Sequence, residues 1–220
     1  MNTVIIVAGG SGSRMKSETP KQFALLNSKP VIVHTIEKFL QFDSSLQIIV
    51  ALRTDYALEF ETIQKNFKLP GLTIVNGGET RFQSVKNALE KINPDSKIVA
   101  VHDAARPLVS LQTIQNTFSA AEKSGAAIPV IEINESLREI DSLGSKAVNR
   151  KDFRIVQTPQ CFKAEILMEA YKQNYVPEFT DDASVVEAGG NKIYLTQGNI
   201  ENIKITYPQD LETAASLAHE

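Results

Sequence analysis

The chain has 220 residues, of which 42% are hydrophobic and 22% charged, and its formal net charge at pH 7 is −3. These values fit one ordinary globular domain, and they argue against a sequence-independent nucleic-acid binder, which needs a basic excess. The single cysteine, Cys161, excludes an intrachain disulfide and a four-thiolate zinc site.

No apolar stretch approaches the roughly 20 residues that span a bilayer. The apolar run at residues 4–7 is too short for the core of a signal peptide and lacks a basic flank. We therefore expect a cytoplasmic protein with no membrane or nucleic-acid partner.

Short apolar runs alternate with amphipathic stretches along the first 130 residues. The apolar runs predict buried strands at residues 3–7, 46–52, 72–75, 98–101 and 126–130. The amphipathic stretches predict helices at residues 31–42, 55–67, 81–92 and 111–123. This alternation is typical of βαβ units, so we predict an α/β fold with a doubly wound, mostly parallel sheet. In such sheets, ligands bind at the carboxyl ends of the strands.

Residues 131–154 break this alternation. The segment is rich in charge and holds a turn sequence at residues 141–144, and a polar hairpin of this length does not belong in a compact core. We predict that it projects as a β-arm. Beyond it, we predict helices at residues 163–172 and 182–188, strands at 193–195 and 203–206, and a last helix that begins at Pro208.

The loop after the first predicted strand is rich in glycine. Gly9, Gly10 and Gly12 would let backbone N–H groups approach a phosphate. The positions that follow match neither a dinucleotide fingerprint nor a P-loop. Two cations, Arg14 and Lys21, could neutralise charge during phosphoryl or nucleotidyl transfer. An exposed loop with incidental charges is the plainer alternative.

A second glycine pair, Gly77-Gly78, follows another predicted strand. Ser84 lies one helical turn beyond Arg81 and adds a hydroxyl. The pattern suits contact with a nucleobase edge, and it suits a plain strand-to-helix turn equally well.

Charged residues gather at residues 102–106, where a third strand ends. Asp103 could hold Mg²⁺, a hard cation that prefers carboxylate and phosphate oxygens. Arg106 either contacts a ligand or pairs with Asp103. We interpret His102 as a hydrogen-bonded residue at the strand end and not as a general base.

Two segments near the C-terminus fit a pocket for a phosphorylated acceptor. Thr180 and the aspartates after it precede a predicted helix, so one of them caps it. Lys204 interrupts an apolar strand pattern, and since an unpaired buried lysine is unfavourable, it should face a ligand or a carboxylate. We favour the ligand. A phosphate monoester has a second pKa of about 6, so it can act as a nucleophile without a base.

Together these segments resemble the 2-C-methyl-D-erythritol 4-phosphate cytidylyltransferase family of the non-mevalonate isoprenoid pathway. The resemblance rests on residues 8–22, 77–84, 102–107, 158–160, 180–184 and 202–204, in the family's order and spacing. It implies one Rossmann-like nucleotidyltransferase domain, residues 1–220, that uses CTP and Mg²⁺. It also implies a homodimer that interlocks through the arm at about residues 131–154.

Two alternatives stay open beside this resemblance. A related enzyme would use ribitol 5-phosphate or another polyol phosphate as the acceptor. A catalytically silent nucleotide-binding module is the alternative from another class of protein, but such a module should lack Lys21, Asp103 or Lys204, and all three are present.

The resemblance also assigns roles to individual residues. Arg14 and Lys21 would be the catalytic cations on the triphosphate. The nucleotide-binding residues would be Ala8, Gly9, Gly10, Gly12, Gly78, Ser84, Asp103 and Ala104, with Asp103 also as the metal ligand. The acceptor-binding residues would be Arg106, Thr180 and Lys204, with Arg150 and Ser136 reaching across from the partner subunit. Ser136 and Glu79 depart mildly from the family pattern, and Ser136 bears most on the identity of the acceptor.

Overall fold

A central sheet with helices on both faces forms the body of the protein. The computed structural model describes residues 1–10, 19–69, 71–142 and 144–218. Its strands are β1 (Thr3–Ala8), β2 (Leu25–Leu26), β3 (Lys29–Pro30), β4 (Gln47–Leu52), β5 (Thr73–Asn76), β6 (Ile98–Asp103), β7 (Ala126–Ile131), β8 (Leu137–Asp141), β9 (Gly144–Val148), β10 (Ile155–Val156), β11 (Gln160–Lys163) and β12 (Tyr194–Gln197). Its α-helices are α1 (Val31–Phe42), α2 (Ala57–Asn66), α3 (Arg81–Leu89), α4 (Leu111–Ser124), α5 (Ala164–Ala170), α6 (Asp182–Ala188) and α7 (Pro208–Leu217). The strands and helices predicted before residue 131 are all present.

The central sheet has eight strands in the described part of the chain. Seven follow the order β10-β7-β11-β6-β1-β4-β5, and β12 pairs with β7 outside this path. The block β6-β1-β4-β5 is parallel throughout. In contrast, β11 runs antiparallel between β6 and β7. The sequence predicted the parallel block but not β11, whose four residues follow a polar turn-like segment.

The alternating side chains of each strand build two hydrophobic layers. In β1, Val4 and Ile6 belong to the layer that contains residues of α1, α2 and α4, whereas Ile5 belongs to the layer with residues of α3, α5 and α6. All three side chains are fully buried. Helices covering both faces explain why the strands are near-continuous apolar runs. The prediction of a doubly wound, mostly parallel α/β fold is confirmed.

The arm is an antiparallel hairpin of β8 and β9. Leu137 pairs with Val148 and Asp141 with Gly144, which confirms the predicted turn, although Leu143 lies outside the described residues. Among the described strands, β8 and β9 pair with each other and with no strand of the central sheet. Ile140 on this hairpin is 81% exposed, so the arm offers apolar surface away from the core.

The prediction of a strand at residues 203–206 is wrong. This segment is extended and forms no ladder, although the Ile205 N–H donates to the Ala105 carbonyl at 2.9 Å. The alternating pattern has another cause: Ile203 and Ile205 pack in a small cluster with Ala105 and residues of α7, while Lys204 lines the clefts described below. The last helix begins at Pro208, as predicted.

Candidate functional site

The candidate site lies at the carboxyl edge of the parallel strands. Ala8 of β1 pairs with Leu52 of β4, and Leu52 pairs in turn with Asn76 of β5. On the other side of β1, Val7 pairs with Asp103, the last residue of β6. The loops that leave these four strands therefore start side by side, at the edge where doubly wound sheets bind ligands.

These loops surround a cleft of about 330 Å³, which we call the first cleft. In the described part of the chain, its lining residues are Val7, Gly9, Gly10, Lys21, Arg53, Gly78, Glu79, Thr80, Arg81, Ser84, Asp103, Ala105 and Lys204. Four of these side chains are cationic and two are carboxylates. The first cleft therefore carries an excess of positive charge, which favours a polyanionic ligand.

The Gly77-Gly78 loop forms one wall of the first cleft, and α3 fixes its shape. Thr80 caps α3, because its hydroxyl accepts a hydrogen bond from the Gln83 N–H at 3.0 Å. The buried Ser84 hydroxyl accepts from the Gly78 N–H at 3.0 Å and donates to the Thr80 carbonyl at 2.9 Å. A Cβ on Gly78 would lie 2.1 Å from Cγ of Gln83, so a side chain there would displace its neighbours. Ser84 thus fixes this wall and also lines the cleft.

Lys21 reaches the first cleft from the segment that follows the glycine-rich loop. The next residue, Gln22, is buried, and its Nε2 donates to the Ala8 carbonyl at 3.0 Å. This hydrogen bond ties the segment to the end of β1. The position of Lys21 at the cleft is therefore set by its immediate neighbour.

Asp103 is the anionic centre of the site. Its Oδ2 lies 2.9 Å from Lys204 Nζ and 3.3 Å from Arg106 Nε, and its Oδ1 lies 3.7 Å from Arg81 Nε. Burial by itself would raise the pKa of this carboxyl, but the three cations outweigh burial and hold its pKa well below the usual range. Asp103 is therefore ionised at neutral pH and gathers three cations at one point.

His102 lies behind Asp103 and is fully buried. Its Nε2 lies 3.1 Å from the Arg106 carbonyl, which can only accept, so Nε2 carries the proton. Its Nδ1 lies 3.0 Å from the Thr158 hydroxyl, and that hydroxyl accepts from the Asp103 N–H at 3.2 Å. Burial lowers the pKa of His102 to about 4. A neutral imidazole with both nitrogens engaged agrees with the interpretation of His102 as a supporting residue and not as a base.

A second cleft, of about 200 Å³, lies beside the first. In the described part of the chain, its lining residues are Arg81, Asp103, Arg106, Val156, Gln157, Thr158, Gln160, Thr180, Asp181 and Lys204. Arg81, Asp103 and Lys204 line both clefts. We call these three side chains, which belong to the lining of both clefts, the shared wall.

Arg106 and Lys204 each pair with Asp103 and also line a cleft. Arg106 pairs with Asp103, and its Nη1 donates to the Asn202 carbonyl at 2.7 Å, yet its side chain still lines the second cleft. Lys204 also pairs with Asp103, while its side chain stays 40% exposed and lines both clefts. Each cation is thus held by a carboxylate and remains accessible to a ligand.

The beginning of α6 forms the far wall of the second cleft. Asp181 caps α6, because its Oδ1 accepts from the Ser184 N–H at 2.9 Å. Its Oδ2 accepts from Gln160 Nε2 at 2.7 Å, which ties the cap to β11. Thr180, the residue before the cap, lines the cleft. The cap that the sequence predicted is therefore Asp181, and it leaves the Thr180 side chain at the cleft.

Most of the predicted site residues lie around the two clefts. Of those predicted to bind nucleotide or to act as catalytic cations, Gly9, Gly10, Lys21, Gly78, Ser84 and Asp103 line the first cleft. Of those predicted to bind the acceptor, Arg106, Thr180 and Lys204 line the second. Ala8 and Ala104 are buried at the strand ends behind the first cleft. Their roles in binding stay predictions.

Besides Ala8 and Ala104, four other predicted site residues are not among the residues that line the clefts. Ser136 and Arg150 are exposed on the arm, and in the described part of one chain neither lines a cleft. The Arg150 guanidinium donates to the Asn134 carbonyl. Gly12 and Arg14 lie outside the described residues, so their predicted roles are untested.

Two cations of the clefts had no predicted role. Arg53 follows β4 and pairs with Asp55 at 2.7 Å at the first cleft. The strand order would have indicated that Arg53 reaches the first cleft, because β4 lies between β1 and β5, and the glycine-containing loops after those two strands line the same cleft. Arg81 belongs to the segment that resembles the family, but no pattern in the sequence showed that it reaches both clefts.

Two features are absent from the described residues. No group of three or more His, Cys, Asp or Glu side chains is placed to hold a metal ion within those ranges. Within the same ranges, no helix combines the length and the apolar character needed to traverse a lipid bilayer.

The chain is similar to known proteins of one family over almost its whole length. The model of the family described as 2-C-methyl-D-erythritol 4-phosphate cytidylyltransferase matches residues 2–220. Proteins with that name from Bacteroides thetaiotaomicron and Bacteroides fragilis are 46% and 47% identical over 217 residues, and each match covers 98% of both chains. The crystal structure of 4-diphosphocytidyl-2C-methyl-D-erythritol synthase from Anaerococcus prevotii superposes with a TM-score of 0.86 at 26% identity and covers 100% of this chain and 96% of that chain. The 2-C-methyl-D-erythritol 4-phosphate cytidylyltransferase from Thermus thermophilus gives a TM-score of 0.79 at 31% identity and covers 100% of both chains.

Proposed function

The chain belongs to the 2-C-methyl-D-erythritol 4-phosphate cytidylyltransferase family, and on this premise we propose that it transfers CMP from CTP to 2-C-methyl-D-erythritol 4-phosphate. The reaction releases pyrophosphate and supplies isoprenoid precursor synthesis. One observation carries the proposal: two clefts, each lined by several cationic side chains, meet at Arg81, Asp103 and Lys204. A reaction that joins two phosphates requires two such sites that open onto each other.

In this proposal, CTP occupies the first cleft. The backbone at Gly9 and Gly10 faces the triphosphate, where N–H groups favour an anion. Lys21 neutralises the charge that moves onto the leaving pyrophosphate. The wall formed by Gly78 and Ser84 is the rigid surface on which the nucleoside is placed.

The phosphate of the acceptor occupies the second cleft, where Lys204, Arg106 and Thr180 offer cations and a hydroxyl. One of its oxygens attacks the α-phosphorus of CTP, the bond from that phosphorus to the bridging oxygen breaks, and pyrophosphate leaves with the electron pair. No proton must be removed, because a phosphate monoester with a second pKa of about 6 is mostly dianionic at neutral pH. This agrees with a buried, neutral His102 that takes no part as a base.

We also propose that the enzyme uses Mg²⁺ and that Asp103 is its protein ligand. The Asp103 carboxylate is ionised and lines the first cleft. Among the ion pairs that its Oδ1 makes with described residues, the nearest cationic atom is Nε of Arg81, at 3.7 Å. Mg²⁺ commonly binds through one or two carboxylates together with substrate phosphates and water, so a site without a cluster of acidic residues fits it. When bound, the metal would neutralise charge on the triphosphate.

The arm supports a proposal of a homodimer. Besides Ile140, several apolar side chains near the arm and the adjoining sheet edge are more than a third exposed, namely Phe153, Ile155, Val156, Tyr194, Leu195 and Ile200. Exposed apolar surface of this kind marks interaction sites. We propose that a second copy of the chain covers it, and that Ser136 and Arg150 of each arm reach the second cleft of the other subunit.

We further propose that residues 1–220 form one nucleotidyltransferase domain and that the enzyme is cytoplasmic.

Pyrophosphate release in the presence of CTP and Mg²⁺ tests the proposed reaction, with 2-C-methyl-D-erythritol 4-phosphate and ribitol 5-phosphate offered in parallel. We expect release with the first acceptor. Preference for ribitol 5-phosphate would replace the acceptor and keep the mechanism, whereas no release with either would refute cytidylyl transfer. Lys172→Ala, at an exposed surface lysine, is the control for variants of Lys21.

Replacing residues 132–149 by a short linker tests the role of the arm. We expect a monomer by light scattering and loss of acceptor turnover, with CTP binding retained because the first cleft is built within one chain. A fully active dimer after this deletion would contradict both the proposed interface and the cross-subunit contacts.

A further inference from the structure

The buried carboxylate of Asp182, which also accepts a hydrogen bond from Tyr171, pairs with Arg81 at the shared wall. Arg81 Nη2 donates to Asp182 Oδ2 at 2.6 Å, and the Tyr171 hydroxyl donates to Asp182 Oδ1 at 2.6 Å. Asp182 is fully buried and Tyr171 is buried. Both oxygens of Asp182 therefore have a partner. We call Arg81, Asp182 and Tyr171 the Arg81 bridge.

The Arg81 bridge connects the two helices that begin at the two clefts. Arg81 is the first residue of α3 and follows the loop that carries Gly78. Asp182 is the first residue of α6 and follows Thr180 and the cap Asp181. One ion pair thus joins the nucleotide wall of the first cleft to the far wall of the second.

A further contact of the bridge leads to Asp103. Arg81 Nε lies 3.7 Å from Asp103 Oδ1, and the other oxygen of Asp103 lies 2.9 Å from Lys204 Nζ. Burial opposes the charged form of Arg81, but the carboxylates of Asp182 and Asp103 outweigh burial and raise its pKa. Packing α3 against α6 does not require such charges, because apolar residues often replace a buried ion pair without loss of stability.

We propose that Arg81 is a positioning residue for the transfer reaction: the Arg81 bridge fixes the shared wall, and with it the spacing between the acceptor phosphate and the α-phosphate of CTP. This inference rests on the proposed function, since it assumes that the two substrates occupy the two clefts. A displacement of reacting groups by about 1 Å can lower a rate about 10²-fold. The bridge therefore controls kcat more than it controls the binding of CTP.

Variants of the Arg81 bridge separate positioning from stability. In Asp182→Asn, Arg81 loses its shortest ion pair and can move towards Asp103, so we expect kcat to fall by about 10- to 100-fold while the KM for CTP changes by less than about threefold. Arg81→Lys keeps the charge, but one nitrogen cannot hold Asp182 and Asp103 together, so kcat should fall to a similar level. Tyr171→Phe keeps the ion pair and should lower kcat by less than about threefold.

A double variant tests whether the pair acts as a unit. Combining Arg81→Lys with Asp182→Asn should lower kcat no further than the more damaging single change, because residues of one network are not additive. Glu169→Gln, which removes the carboxylate of an exposed ion pair with Lys172, is the matched control and should leave kcat unchanged. Thermal unfolding and calorimetric binding of CTP establish that each variant is folded.

Four outcomes decide between the possibilities. Folded variants Asp182→Asn and Arg81→Lys with the kcat of the parent would overturn the inference, and so would losses of kcat that add up in the double variant. If Asp182→Asn does not fold, Arg81→Lys decides the question alone. A parent enzyme that binds CTP but never turns over the acceptor would instead refute the proposed function.

Discussion

The first cleft takes its shape from short loops after neighbouring parallel strands, whereas the second cleft is assembled from segments that are far apart in the sequence. In the first, Ser84 holds Gly78 over a separation of six positions. In the second, Arg106 reaches the carbonyl of Asn202 over a separation of 96 positions. The first cleft is therefore mainly a property of the sheet edge, while the second cleft depends on the docking of distant segments. Variants that affect one cleft and spare the other test this difference.

The largest expected effect is at Lys21 in the first cleft. Lys21→Ala should lower kcat by about 10²- to 10³-fold, because it removes a cation that stabilises charge in the transition state. Steady-state pyrophosphate release measures the loss of kcat, with Lys172→Ala as the control. A loss of less than about tenfold would be inconsistent with the role assigned to Lys21.

The next effect concerns stability and involves His102, which joins β6 to the Thr158 segment of the second cleft. Well above pH 6.5 the imidazole of His102 is neutral in both states, and between pH 6.5 and about 4 it is protonated mainly in the unfolded chain. The free energy of unfolding should therefore fall as the pH falls through this window, by up to about 3 kcal/mol.

Urea unfolding at several pH values measures this dependence. The difference between the parent and His102→Gln should shrink as the pH falls from 6.5 to about 4, because the variant has no imidazole to protonate. A difference that stays constant over this range would show that His102 titrates normally.

A substitution of Thr180 should affect the second cleft and spare the first. Thr180→Val removes a hydroxyl from the second cleft, the proposed site of the acceptor phosphate, and should raise the KM for the acceptor by about tenfold, with the KM for CTP unchanged. Equal increases of both KM values would mean that the two clefts are not separate sites.

The smallest expected effect is at Arg53, whose guanidinium lines the first cleft from an exposed position. Arg53→Gln should raise the KM for CTP by about two- to fivefold, the range expected for an exposed charge. The KM for the acceptor should not change. Asp55→Asn keeps Arg53 and removes the charge of its ion-pair partner. An equal rise in the KM for CTP in that variant would show that the Arg53 side chain does not act through the first cleft.

The same difference explains how much could be predicted from the sequence. The strands and helices before residue 131 were predicted because each strand is an apolar run and each helix is an amphipathic stretch, in which apolar residues repeat at helical spacing. The loops of the first cleft follow directly from those strands, so Gly9, Gly78 and Asp103 could be placed at one edge of the sheet before the structure was known.

The second cleft could not be predicted to the same extent. Its antiparallel strand β11 has four residues, too few for a recognisable pattern of apolar residues. The alternation of apolar and polar residues at 203–206 reflects packing against α7 and not strand pairing. The pairing of Arg81 with Asp182 joins residues 101 positions apart, and no local pattern in one sequence records such a distance. Residue patterns suggested an acceptor pocket at Thr180 and Lys204, but they did not show which other segments complete the cleft.

The most direct test of the central claim follows the oxygen atoms of the acceptor. 2-C-methyl-D-erythritol 4-phosphate with ¹⁸O in the non-bridging positions of its phosphate is incubated with CTP and the enzyme, and the products are examined by mass spectrometry and ³¹P NMR. Attack of the acceptor phosphate on the α-phosphorus predicts that all of the label appears in the CDP-linked product, with one labelled oxygen in the new bridge, and that pyrophosphate is unlabelled. Label in pyrophosphate, or release of CMP with no CDP-linked product, would contradict a transfer across the shared wall.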